Sequence, residues 1–106
     1  MNKEISVCEA AKLRAPTDSA TFLDVREPEE LAICRLEGAL HIPMAEIPAR
    51  CDSLPRDRPL VVFCHHGIRS AHVVRFLDAK GFANAVNLSG GIHAWSVEVD
   101  PQLPRY

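Results

Sequence analysis

The residues with the clearest chemical potential are Cys64-His65-His66-Gly67-Ile68-Arg69-Ser70. They follow the apolar run Leu60-Val61-Val62-Phe63 and precede a helical pattern from Ser70 to Lys80. A cysteine where a buried strand gives way to a helix sits at the helix's partly positive end, where backbone N–H groups lack partners and can face an anion. A sulfur held there is favoured as thiolate, the nucleophilic form. Arg69, and His65 or His66 when protonated, act in the same direction. Gly67 permits positive φ and close backbone approach, so successive N–H groups can form a nest for negative charge. Such a loop can stabilise a thiolate, a persulfide, or an oxyanion bound above the sulfur. Ser70 fits a hydrogen-bonding role at the helix start.

The elements that must position this loop alternate between strand and helix patterns. Ile5 fits a short first strand, and Ser6 with Glu9 forms a capping box that predicts a helix over Val7 to Arg14. Pro16-Thr17-Asp18 reads as a turn and Ala20 to Val25 as a buried strand. Pro28-Glu29-Glu30 opens a helix to about Cys34. Leu40-His41-Ile42 suits a short strand, and Pro43 to Cys51 a helix weakened by Pro48. Leu60 to Phe63 is a continuous apolar run of the kind found in a central parallel strand. In the helix that follows, Val73, Val74 and Leu77 share one face and Gly81 supplies the C-terminal cap. Ala85 to Leu88 is the last strand; Ser89-Gly90-Gly91 turns into a short helix with Ile92 and Trp95, and the tail from Asp100 has no regular pattern. The alternation predicts an α/β fold with a mostly parallel central sheet of about five strands flanked by helices in three layers. Ligand sites in such sheets lie beyond the carboxyl ends of strands, where Cys64 falls.

A chain of 106 residues suffices for one domain over residues 1–106. Hydrophobic content of 47% and charged content of 25% suit a soluble globule, and a net charge of −2 argues against a nucleic-acid partner. No run approaches the roughly 18 apolar residues of a membrane span, and the start lacks the layout of a signal peptide, so a cytoplasmic location is expected. Cys8, Cys34, Cys51 and Cys64 have irregular spacing and no Cys-x-x-Cys pair. Disulfides and a zinc ribbon are therefore not expected, and Cys8, Cys34 and Cys51 are expected as small apolar side chains in or near the core. A metal site built from Cys64, His65, His66 and His72 is discounted, because adjacent residues rarely aim compatible vectors at one tetrahedral ion. His41, His72 and His93 carry no functional signal.

Three further segments frame the loop: Asp24-Val25-Arg26-Glu27 followed by Glu30, Gly38-Ala39-Leu40-His41-Ile42-Pro43, and Asn87-Leu88-Ser89-Gly90-Gly91-Ile92-His93-Ala94-Trp95. Together with the cysteine loop, and in this order, they resemble the rhodanese family of sulfurtransferases over most of the chain. The resemblance implies a rhodanese-like fold in which Cys64 takes a sulfane sulfur from an anionic donor such as thiosulfate. The resulting persulfide passes its sulfur to cyanide or a thiol, by covalent ping-pong catalysis. It implies that the loop from His65 to Ser70 (His65, His66, Gly67, Ile68, Arg69, Ser70) cradles the outer sulfur. Arg69 would help bind the donor or stabilise the loop, and no metal or organic cofactor is needed. Asp24 and Arg26 are expected in a buried or half-buried polar network that supports the fold.

Two other classes compete. Cysteine phosphatases spell their loop Cys-x5-Arg, whereas Cys64 and Arg69 enclose only the four residues His65 to Ile68; the shorter loop suits a sulfur atom better than a phosphoryl group. Rhodanese-like folds without the cysteine resemble binding modules, but Cys64 is present. Between enzyme and module stands a persulfide carrier that delivers sulfur to a partner protein in a relay.

Overall fold

In the computed structural model, which describes residues 3–15 and 17–106, five strands form one parallel sheet in the order β1-β5-β4-β2-β3. The strands are β1 (Glu4–Ile5), β2 (Thr21–Asp24), β3 (Leu40–His41), β4 (Leu60–Phe63) and β5 (Ala85–Leu88). Five helices flank them: α1 (Val7–Arg14), α2 (Pro28–Leu31), α3 (Ile47–Arg50), α4 (Ile68–Ala79) and α5 (Gly91–Glu98). Among the described residues no helix is long and apolar enough to cross a membrane.

β4 lies between β2 and β5, and all four of its residues are fully buried. Its alternation divides the core. Leu60 and Val62 join Leu23, Val25, Ile47, Val73, Val74, Leu77 and Phe82 beneath α3 and α4. Val61 and Phe63 join Val7, Ala10, Phe22, Leu88, Ile92 and Trp95 beneath α1 and α5. A strand covered on both faces must be apolar throughout, which is why this run was so readable. The parallel register, with Leu23 beside Val62 and Val62 beside Asn87, brings the carboxyl ends of β2, β4 and β5 to one end of the sheet.

The elements differ from expectation where side chains compete with the helix. α1 spans the expected residues, with both halves of the Ser6–Glu9 capping box formed. Cys8, however, is exposed on it rather than in the core, since Val7 and Ala10 take the buried face. α2 ends at Leu31 rather than near Cys34; Ala32 and Ile33 are exposed, and Arg26 Nη2 donates to the Cys34 carbonyl at 2.8 Å, so nothing apolar rewards a further helical turn. The segment after Pro43 breaks into a 3-10 turn at Met44–Glu46, α3, and a second 3-10 turn at Cys51–Ser53. Pro48 lies in the first turn of α3, where a missing N–H costs nothing, and the helix restarts there. α4 begins at Ile68, two residues before the expected Ser70. Of the turn expected at Pro16-Thr17-Asp18, Pro16 lies outside the described residues.

One charged pair is buried under this frame. Arg26 is 0% and Asp24 1% exposed. Arg26 Nε donates to Asp24 Oδ1 at 2.9 Å and Nη2 to Oδ2 at 2.7 Å, while Nη1 donates to the Tyr106 hydroxyl at 2.9 Å. Burial works against the charge on Arg26, but the hydrogen bonds to Asp24 and Tyr106 outweigh it and raise the pKa above the ordinary arginine value. Removing one member leaves the other charged and unpaired. Arg26→Ala is expected to lower unfolding free energy by about 3–5 kcal/mol, measured as an earlier urea midpoint at unchanged slope. A loss below about 1 kcal/mol, the range of exposed pairs, would contradict this account.

Candidate active site

Cys64 follows β4 directly and is 1% exposed. The chain then turns at Gly67, whose φ of +105° is accessible to glycine at little cost, and enters α4 with Gly67 as N-cap. Ser70 thus falls in the first turn of α4, where N–H groups have no helical acceptor. Three donors converge on the sulfur. Gly67 N–H lies 3.1 Å from Cys64 Sγ, Ser70 N–H 3.4 Å and Ser70 Oγ 3.3 Å. Donors gathered around one atom stabilise negative charge on it. The Ser70 hydroxyl has a single proton, so it donates either to Sγ or to Asn87 Oδ1, with which it makes a short contact. Asn87 Nδ2 in turn donates to the Gly67 carbonyl at 3.1 Å.

The carbonyls of the loop are held by a second helix. Ile92 N–H donates to Cys64 O at 2.9 Å and His93 N–H to His65 O at 3.0 Å, both from the first turn of α5. The approach is so close that a Cβ at Gly91 would lie 2.5 Å from both carbonyl oxygens, and Gly91 also has φ +63°.

The expected site residues are distributed as follows. Gly67 and Ser70 reach the sulfur. Ile68 is 72% exposed, and its side chain faces solvent beside the loop. His65 is half-buried and His66 exposed at the mouth. Arg69 turns to Glu30 of α2, donating from Nη1 to Oε1 at 2.6 Å and from Nη2 to Oε2 at 2.8 Å. It therefore ties the loop to α2. The hydrogen bond to Glu30 raises the Arg69 pKa, opposed by burial, and the reciprocal bond lowers Glu30 to about 2. Asp24 and Arg26 lie beneath as the buried pair.

Three residues join the site that carried no such signal in the sequence. Asn87 is a buried amide within an apolar strand, and that polarity was the one available clue. Tyr106 returns from the irregular tail, stacking on His65 with centroids 3.8 Å apart and planes 5° apart, and donates to Glu30 Oε2 at 2.6 Å. His93 stands 5.0 Å from His66, centroid to centroid. Burial lowers the His65 pKa, the neighbouring His66 adds to that, and the Tyr106 main chain opposes it. A depression of about 540 Å³ lies elsewhere, at the amino-terminal ends of β2 and β3, lined by Arg14, Thr21, Gly38, Leu40 and Arg58, without a cysteine.

Comparison with known proteins finds counterparts for this fold and sequence. The rhodanese-like domain matches residues 9–98. YtwF of Bacillus subtilis is 41% identical over 101 residues, covering 94% of this chain and 96% of its own. A protein named sulfurtransferase from Allochromatium vinosum is 35% identical over 96 residues, covering 91% of this chain and 90% of its own. The crystal structure of a rhodanese-related protein from Thermoplasma volcanium superposes with a TM-score of 0.83 at 35% identity, covering 92% of this chain and 93% of that one. The chain belongs to the rhodanese-like family.

Two outcomes test the geometry. Burial and the bond to Glu30 push the Tyr106 phenol up to about 12, against a smaller lowering by Arg26. The fold favours the neutral phenol, so its contribution to stability is complete below about pH 10 and is lost as pH rises through about 12. Because Tyr106 is the single tyrosine, phenolate absorbance should titrate near 12; a midpoint near the ordinary value of about 10 would mean the tail is free. Gly91→Ala should cost about 1–3 kcal/mol by overpacking and shift the amide resonances of Gly67 and Ser70. Unchanged melting and unchanged amides would show that α5 does not set the loop.

Proposed function

We propose that this protein is a sulfurtransferase that carries sulfane sulfur as a persulfide on Cys64. The observation that carries the reading is the convergence of Gly67 N–H, Ser70 N–H and Ser70 Oγ on one buried sulfur at the end of the central strand. Relatives named as sulfurtransferases support it.

The chemistry balances without a cofactor. The Cys64 thiolate attacks the outer sulfur of thiosulfate; the Cys64 S–S bond forms as the thiosulfate S–S bond breaks, and sulfite leaves with the electron pair. Cyanide then attacks the outer sulfur of the persulfide anion, giving thiocyanate and restoring the thiolate. A thiol acceptor takes the same sulfur. The loop amides supply fixed dipoles for negative charge as it moves between sulfurs. Arg69 acts through the loop, since Glu30 occupies its guanidinium edge. A phosphatase reading is disfavoured by the same arrangement, because the loop donors point at sulfur and the arginine is engaged.

A second reading, sulfur delivery to a partner protein, is favoured by Ile68, which is 72% exposed in the first turn of α4 beside the loop. An exposed isoleucine beside the loop offers a partner an apolar contact that a small anion cannot use. The four free cysteines suit a reducing compartment such as the cytoplasm.

Intact mass after incubation of the reduced protein with thiosulfate, then cyanide, tests the proposal. One added sulfur mapped to Cys64, removed by cyanide and absent in Cys64→Ser, is the expected result. No loading from thiosulfate, but loading from a cysteine desulfurase, would favour the relay. Loading that survives in Cys64→Ser would overturn both.

A further inference from the structure

Outside the sulfur cradle, the mouth of the site gathers lone pairs that sulfur transfer does not use. His65 and His66 follow Cys64, and His93 sits in the first turn of α5, bound to the loop through its N–H bond to the His65 carbonyl. One ring nitrogen from each of the three histidines lies within 4.8 Å of the others; neither Cys64 Sγ nor His72 belongs to the group. Two nitrogens of these rings, His65 Nε2 and His93 Nδ1, are buried without a hydrogen-bond partner among the described residues. An orphaned buried nitrogen is costly, and an acceptor of lone pairs removes that cost.

The supporting contacts fit a ligand set. Tyr106 stacks on His65 and fixes the plane of its ring. A metal-ligating histidine is held by its neighbours in a fixed ring orientation in this way. The objection that adjacent histidines cannot surround an ion is met by His93, which approaches from another element.

We propose that His65, His66 and His93 bind one divalent cation of the zinc class, with a fourth position open to solvent. Three neutral nitrogens without a carboxylate select zinc, cobalt, nickel or copper over magnesium or calcium. Metal–nitrogen bonds of about 2.0–2.1 Å place tetrahedral nitrogens roughly 3.3 Å apart. The rings therefore close by at most about 1.5 Å from the present 4.8 Å limit, a movement open to the exposed His66.

Titration of tag-free, reduced protein with Co²⁺, followed by ligand-field absorption, tests the site independently of sulfur transfer. One equivalent is expected, without a thiolate-to-cobalt charge-transfer band. His93→Gln and the exposed-site variant His66→Gln should each weaken binding by at least about tenfold, the lower bound for losing even an outer partner. Cys64→Ser and His72→Gln should bind as the parent does. No saturation below roughly 1 mM, full binding in both histidine variants, or loss of binding in Cys64→Ser would each overturn the proposal.

Discussion

The hydrogen bonds from the first turn of α5 to the carbonyls of Cys64 and His65 govern what the loop can do. A peptide whose carbonyl is held on one side presents its neighbouring amides to the other. With Ile92 and His93 holding the outside of the loop, the amides of Gly67 and Ser70 are left to face the sulfur. Two helix N-termini therefore serve one cysteine, α4 through the sulfur and α5 through the backbone around it. The close contact exists because residue 91 has no side chain.

Beneath the loop runs a chain of charge that links distant parts of the sequence. Asp24 holds Arg26, Arg26 and Glu30 share the Tyr106 hydroxyl, and Glu30 holds Arg69. Glu30 also accepts the Glu27 N–H at 3.0 Å as part of the α2 capping box. Buried ion pairs give little net stability against apolar replacements. Here the pair fixes direction: a fork of donors on Arg26 reaches a carboxylate, the Cys34 carbonyl and a phenol from one planar group. That arrangement seats α2 and the tail against the active-site loop.

The readable parts of the sequence were those governed by neighbours. β4, β5 and α1 fall on the expected residues, because a run buried on both faces and a capping box are local patterns. The position of Cys64 was readable from the strand-to-helix junction. What escaped depends on residues far apart: Arg69 finds Glu30 across 39 positions and Tyr106 finds it across 76. Neither spacing leaves a periodic trace. His93 gained its place because β5 and α5 return to the β4 loop, and Cys8 was misplaced because α1 buries only Val7 and Ala10 fully.

The stacked tail has a practical side. Tyr106 lies against His65, so a label, resin or fused reporter attached just after that residue emerges over the mouth and must either thread past the stacked rings or displace them. The short β1 is no better placed, because its register sets Glu4 beside Asn87, near the loop. Attachment through the exposed Asp57, in the loop that feeds the amino-terminal end of β4, leaves the mouth clear. Handling of the molecule is therefore polar: the two ends of the sheet are not equivalent points of attachment.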